Sequence, residues 1–465
     1  METSILQKLV NWKDELEKVA LSGEITNIDE LSSSMLDRAL EITMDILGDV
    51  VKQLNENIRA QKASRKAAGL VIKEKDIERT ILLRIGSFTF KRDYFFDKNS
   101  ESYCFPLDEI IGIEKRTRIS DGIRADLVNG ATWKSYERSS NLVSGHKVSK
   151  QTVRNSIVQL EAPEKGIGEE KRKIEEIHIY ADEDHVHMQK PGKARGKRNQ
   201  IVPIVTVTEG TEAVSQRRNR TINPMHFVDE EFSVKRLWES VDGYISQAYD
   251  GETLKKIYLH GDGGRWISRG LEDRSDVIRA MDEFHFGKRT REISRLFPGQ
   301  NIGARVRSAI RKSLHDFDTL MQELLGIAWG QEAESKVKEY GAYVINHYEE
   351  IRNRLTLEIP GSCTEGLVSS LLSERFSRNP MGWSKEGLGK LSKARIYVKN
   401  GGKIEGSDFR SGNPKRYSTY VEEERKKLLE EKYDWSFYEP EQYIFDGNSG
   451  TQRAIRKIGS FERIS

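Results

Sequence analysis

Two cysteines in 465 residues, Cys104 and Cys363, stand 259 positions apart. That is too few and too far apart for a disulfide framework or a paired-cysteine zinc site. No apolar run reaches the length needed to cross a bilayer. The opening METSILQKLVNWKDELEK carries acidic residues where a secretory leader has a basic start and an apolar core. The expectation is a soluble cytoplasmic protein with no membrane partner. A large charge excess is missing too: 76 Lys and Arg face 73 Asp and Glu, a net +3.

What is present is charge in quantity, 32% of residues, with a mean hydropathy of −0.65 and 36% apolar residues. The length calls for two to four domains. The near-neutral total hides four basic clusters. Residues 111–160 hold nine Lys/Arg against four Asp/Glu, 190–220 eight against two, 288–312 eight against one, and 389–418 eight against two. One such cluster is an ordinary solvated face. Four along one chain suit a long polyanion touched at several places.

Periodicity divides the chain. Residues 1–75 repeat apolar positions at helical spacing (Leu36, Leu40, Met44, Leu47, Val51, Leu54) and end in a basic stretch before Gly69. TILLRIGSFTFKRDYFFDKNSESYCF alternates with period two around a DKNS turn, which predicts a small β-hairpin region at 76–110. Within 111–165, TWKSYERSSNLVSGHKVSKQTVRNSIVQL reads as two helices joined near Gly145, the second capped by Ser149 and exposing Lys150, Gln151 and Arg154. A DNA-recognition helix carries such residues at its N-terminal end, although an ordinary helical hairpin fits the same pattern.

From 166 to 302 strands alternate with helices. IEEIHIYAD is a strand ending in acid, with HVHMQ returning beside it. A basic loop bearing Arg195, Lys197 and Arg198 leads to the strand IVPIVTVTEG, and Arg217 and Arg218 form a basic turn. SVKRLWESVDGYISQAYDG is a helix, KKIYLHGD a strand, and SDVIRAMDEFHF a shorter strand. Residues 303–360 are helical with no strand. EGLVSSLLSERFSR within 361–400 is a helix beginning at Glu365, and 401–465 is a charged C-terminal region with a helix at VEEERKKLLEEKY.

Three acids stand apart. Asp182 and Asp262 close strands, Asp262 in the glycine turn GDGGRW, and Glu365 opens a helix; the spacings are 80 and 103 residues. Acids at neighbouring strand ends and one on a later helix can meet at a sheet edge. Carboxylates gathered there repel unless a cation neutralises them. Oxygen ligands of this kind suit Mg²⁺ or Mn²⁺, two of which could clamp an in-line phosphoryl displacement. The same acids fit roles as helix caps and turn formers, and Asp184 rivals Asp182 for the first position. Asp282 and His285 form D-x-x-H, where the imidazole could face a base, a phosphate or a metal-bound water. Arg375 and Arg378, on the Glu365 helix, could reach phosphates, and Trp383 could stack a base or fill a core.

The segments KRDYFFDKNSESYCFPLDEIIGI, IHIYADEDHVHMQ, KKIYLHGDGGRWI, MDEFHFGK and CTEGLVSSLLSERFSRNPMGWSKEGL, spread over roughly residues 70–405, resemble the ISLre-type insertion-sequence transposases. These are bacterial enzymes once filed as an uncharacterised protein family and distantly related to Mutator-type transposases. The resemblance implies an α+β multidomain protein: a ribonuclease-H-like DDE domain with a helical insertion, preceded by helical and helix–turn–helix DNA-binding regions. By position it makes Asp182, Asp262 and Glu365 the metal-binding catalytic acids, with Asp282 and His285 the D form of the group's C/D-x-x-H signature. It further implies Mg²⁺ or Mn²⁺, two ions, with double-stranded transposon-end and target DNA as partner. A homo-oligomer on DNA at the bacterial nucleoid would follow. A plain ribonuclease-H-fold nuclease and a non-catalytic DNA-binding regulator are the alternatives.

Overall fold

The computed structural model describes residues 5–22, 27–145, 147–189, 199–215, 218–361, 363–378 and 381–409. They form two compact units, one of residues up to 80 with 89–117, the other of 81–88 with 118 onward. No helix among the described residues is long and apolar enough to cross a membrane.

The first unit opens with α1 (Ile5–Leu21), α2 (Ile28–Ala60) and α3 (Lys62–Ala67). Asn27 starts α2 by accepting the Glu30 amide proton at 2.9 Å, which satisfies one of the amides a helix start leaves unpaired. Gly69 at φ +74° ends the helical run, so β1 (Leu70–Leu83) starts before the boundary expected at 75. With β2 (Gly86–Asp97) and β3 (Ser102–Cys104) it makes a three-stranded sheet in chain order. In the expected DKNS turn, Asp97 accepts from the Asn99 amide and the Ser100 hydroxyl. Arg59 of α2 donates twice to the buried Asp93 of β2, at 2.8 and 2.7 Å. The pair offsets the burial of a charge that would be costly alone. The short α4 (Pro106–Ile110) completes the unit.

The second unit is a mixed α/β body. Serine starts most of its longer helices: α5 (Asp121–Trp133), α6 (Tyr136–Ser144), α7 (Lys150–Gln159) and α8 (Val234–Ala248) follow Ser120, Ser135, Ser149 and Ser233, each accepting a backbone N–H at the third helical residue. Gly145, at φ +54°, ends α6 as the sequence predicts.

The central sheet takes β4 (Glu176–His187), β5 (Asn199–Thr208), β8 (Met225–Phe227), β9 (Lys256–Gly261) and β10 (Val277–Met281) in the order β10-β9-β4-β5-β8, while β6 (Thr211–Ser215) and β7 (Arg218–Thr221) form a separate ribbon. β10, β9 and β4 run parallel; β5 is antiparallel to both its neighbours, β4 and β8. HVHMQ is not a returning strand. It continues β4, and β5 is the return. The reason is unbroken alternation: Ile177, Ile179 and Ala181 bury against Val241 and Ile245 of α8, while Val186 and Met188 on the opposite face join Val153, Ile157 and Leu391. DEFHF is also not strand. β10 stops at Met281, and Asp282 caps α10 (Glu283–Ser294).

The short α9 (Arg265–Ser268) follows the Asp262 turn. After α10 come α11 (Ile302–Lys312), α12 (Leu314–Ile327), α13 (Gln331–Asn346) and α14 (Tyr348–Thr356). This is the expected strandless helical block, built on its own core of Phe286, Val306, Ile310, Phe317, Leu324, Val344 and Ile351. The chain then forms α15 (Thr364–Val368), a π-helical turn at Ser369–Ser373, α16 (Glu374–Phe376) and α17 (Lys385–Lys399). The helix expected at VEEERKKLLEEKY lies outside the described residues.

Candidate catalytic site

Tyr180 of β4 and Ala280 of β10 both pair with His260 of the central β9. Two residues further along each strand stand Asp182, Asp262 and Asp282. Three acids therefore share one level across three adjacent parallel strands, which lie about 4.8 Å apart. Asp262 and Asp282 directly follow the ends of β9 and β10, whereas Asp182 does not close its strand as expected but stands within β4, which pairs with β5 on to His187.

Backbone amides fix each of them. Asp182 accepts from its neighbour Glu183 N at 2.8 Å. Asp262 accepts from Gly264 N at 2.8 Å, a turn that puts Gly263 at φ +87°. Asp282 donates its own N–H to Gly261 O at 2.7 Å and accepts from Phe284 N and His285 N at 2.7 and 3.2 Å. The D-x-x-H motif is thus a helix cap, with Asp at the cap and His on the first turn, where the helix dipole also favours the negative charge.

Negative charge accumulates here in little solvent. Asp182 is 9% exposed and Asp282 1%. Burial raises the Asp182 carboxyl from 3.8 to about 6, with Asp262 and Asp282 adding to the rise while the Glu183 amide and His285 oppose it. His285 Nδ1 lies 3.4 Å from Asp282 Oδ1. Asp282 first, then Asp182 and Asp262, push the imidazole above its ordinary 6.5 against the effect of burial. Behind the acids, the same face of β4 and β9 carries stacked rings of His178, Tyr180 and His260. His178 Nδ1 and His260 Nε2 are 3.1 Å apart. Burial lowers these imidazoles to about 4 and about 3, so both are neutral.

An oxygen-donor cluster carrying more negative charge than His285 offsets suits a hard divalent cation. Its geometry is open: among the described residues no group of three or more His, Cys, Asp or Glu side chains is disposed to hold an ion. Glu365 is exposed on α15, which packs on β4. The rivals for the first acid differ in placement. Asp184 accepts from Ser377 Oγ at 2.6 Å, whereas Asp182 stands level with Asp262.

Residues 21–411, the site included, match the uncharacterised protein family UPF0236. The chain belongs to that family. A UPF0236 protein of Caldanaerobacter subterraneus subsp. tengcongensis is 30% identical over 413 residues, 87% of this chain and 85% of its own. Another from that organism is 29% identical over 416 residues, 87% and 86% of the two chains. The UPF0236 protein in the vanSb 3′ region of Streptococcus gallolyticus is 22% identical over 426 residues, 87% and 90%.

In this family member the expected DNA-contacting residues scatter. Lys150 and Gln151 are exposed on the first turn of α7, and Arg154 lies 3.7 Å from Glu386. Arg378 is exposed and donates to Ser369 Oγ. Arg375 and Trp383, 5% and 6% exposed, belong instead to the core. Arg375 donates to Ala131 O at 2.7 Å and lies 4.8 Å from the Trp383 ring, and burial lowers it to about 10. The Trp383 indole donates to Phe376 O at 3.1 Å. Arg195, Lys197, Arg198, Arg217 and the Arg218 side chain lie outside the described residues.

The sequence reading missed the contribution of the helical block. Tyr343 of α13 donates to the Met281 sulfur at 3.4 Å, and burial, with the charges of Asp262 and Asp282, pushes its hydroxyl up to about 12. His347, paired with Glu350 at 2.8 Å, packs on the Asp262 turn so closely that a Cβ on Gly263 would lie 2.6 Å from its Cε1. The one signal in the sequence was the glycine pair after Asp262.

Proposed function

We propose that this chain is a DDE-type DNA transposase that cuts the ends of an insertion sequence and joins them to target DNA. In this reading the second unit is a ribonuclease-H-like core with α11–α14 as the insertion. The observation that carries it is the level row of Asp182, Asp262 and Asp282 across three adjacent parallel strands. A helix bearing Glu365 packs on the same sheet. The names of the relatives add support. One Caldanaerobacter UPF0236 name carries eleven locus designations and another four, and repeated copies in one genome are what a mobile element leaves.

Asp182, Asp262 and Glu365 are the residues that would hold Mg²⁺ or Mn²⁺. When bound, a pair of such ions supplies Lewis-acid stabilisation of the attacking and leaving oxygens in phosphoryl transfer. The chain's own part is preorganisation. Backbone amides hold the carboxylates of Asp182 and Asp262 in place before DNA arrives, so at these two acids little has to reorganise during the reaction. His285, whose imidazole Asp282 pushes towards the protonated form, faces a phosphate oxygen beside the acids. α6 and α7 act as the helix–turn–helix that reads the terminal repeats through Lys150, Gln151 and Arg154, and copies of the chain pair on DNA to bring two ends together.

The test is a labelled duplex carrying the element's terminal repeat, incubated with Mg²⁺ and wild-type, Asp262→Asn or Glu365→Gln protein. Nicked and joined products from wild type alone are expected. Nicking without joining would replace this reading with a plain nuclease. Repeat-specific binding with no cleavage would leave a DNA-binding regulator.

A further inference from the structure

Resting on the transposase reading, we propose that Phe284 is the stacking platform for a nucleobase drawn out of the duplex beside the scissile phosphate. Its place is fixed by the cap: Phe284 N–H donates to Asp282 Oδ1, so its side chain leaves α10 on the first turn, between Asp282 and His285. Two residues on, Phe286 is fully buried in the helical core. Phe284 is 46% exposed. Its ring is braced edge-on, perpendicular to the His285 imidazole with centroids 5.4 Å apart, and that imidazole is in turn held beside Asp282.

An exposed aromatic ring at this point has a definite chemical preference. An uncharged ring offers nothing to a phosphate, whereas a nucleobase is neutral, flat and able to stack on a π face. The same helix continues with exposed Lys288 and Arg291 four and seven residues on. They share a face with Phe284, about 6 and 10 Å further along the axis. A strand whose base rests on Phe284 would therefore run its phosphates past two cations. Unpairing the nucleotide that flanks the cut forfeits its stacking in the duplex, and an extruded base needs a surface to replace that stack.

The experiment uses full-length protein and terminal-repeat duplexes that are either fully paired or mismatched at the nucleotide flanking the cut. Cleavage rates are measured for wild type, Phe284→Ala, Phe284→Leu and Phe284→Tyr, with repeat affinity followed by mobility shift in Ca²⁺. On paired DNA, Ala and Leu should slow cleavage about tenfold or more, the order of one lost base–aromatic stack. Tyr should stay within about twofold of wild type. The mismatch should recover most of the Ala and Leu defect, because unpairing then costs less, and affinity for the repeat should hold. Leu matching Tyr, Ala cutting paired DNA as wild type does, or Ala losing repeat binding would each overturn the stacking role alone. A wild type that cuts neither duplex would overturn this role together with the transposase reading.

Discussion

Substituting asparagine for Asp182 removes a charge that folding has to bury, and the structure sets the size of that cost. The carboxyl titrates at about 6 in the folded chain against 3.8 as its ordinary value. An acid with a raised folded pKa binds its proton more tightly when folded. Stability is therefore full below pH 3.8, falls as pH rises towards 6, and above 6 carries the whole penalty. At 1.36 kcal/mol per pH unit that penalty is about 3 kcal/mol. Asparagine keeps an oxygen for the Glu183 amide and carries no charge, so Asp182→Asn should gain up to about 3 kcal/mol at pH 7.5 in EDTA. For a unit this size the Tm should rise by roughly 3–10 °C. At pH 4 the gain should shrink to about 0.5 kcal/mol, and Mg²⁺ should narrow it at pH 7.5 by binding the folded wild type. The assay is thermal unfolding of both proteins at the two pH values, with and without Mg²⁺. An Asn variant no more stable than wild type at pH 7.5, or equally stabilised at pH 4, would refute the electrostatic account of the site.

Gly263→Ala should cost about 2–4 kcal/mol, since it combines positive φ with a clash on His347; Gly299→Ala, at φ +82° with nothing within 4 Å, should cost only about 1 kcal/mol. Urea unfolding measures both, and adding His347→Ala should restore part of the Gly263→Ala loss. Arg395→Met should destabilise by about 3–5 kcal/mol in the same assay, because Arg395 is buried and donates to the carbonyls of Leu371, Thr132 and Ser370. Lys150→Ala should weaken terminal-repeat binding and lower the salt slope by about one, read from mobility shifts across a salt series.

Local chemistry was legible in the sequence where neighbours in the chain decide the structure. Ser149 before α7, Gly145 after α6 and the DKNS turn each act within three or four residues, and each was readable. Asp262 was legible for the same reason, as an apolar strand running into acid and paired glycines. What stayed hidden depends on distant partners. Arg375 reads as a surface cation until Ala131, 244 positions away, supplies its carbonyl. HVHMQ reads as a new strand because charged residues interrupt the apolar pattern, yet its alternation never breaks. DEFHF has strand-like side chains, but the capping geometry of Asp282 outweighs that preference. His347 gives no local sign that it will meet the Asp262 turn.

The π turn at Ser369–Ser373 has a rotational consequence for Glu365. Each α-helical residue advances about 100° around the axis, and a π turn holds roughly one residue more than an α turn. Relative to an unbroken α-helix running back from Arg375, everything ahead of the widened turn is swung by about that angle, Glu365 included. Arg395 closes this turn through Ser370 and Leu371. The azimuth of the exposed acid is thus set by a guanidinium thirty residues further along the chain. Deleting one residue from 369–373 would turn Glu365 to a different side of its helix while leaving its sequence neighbours unchanged.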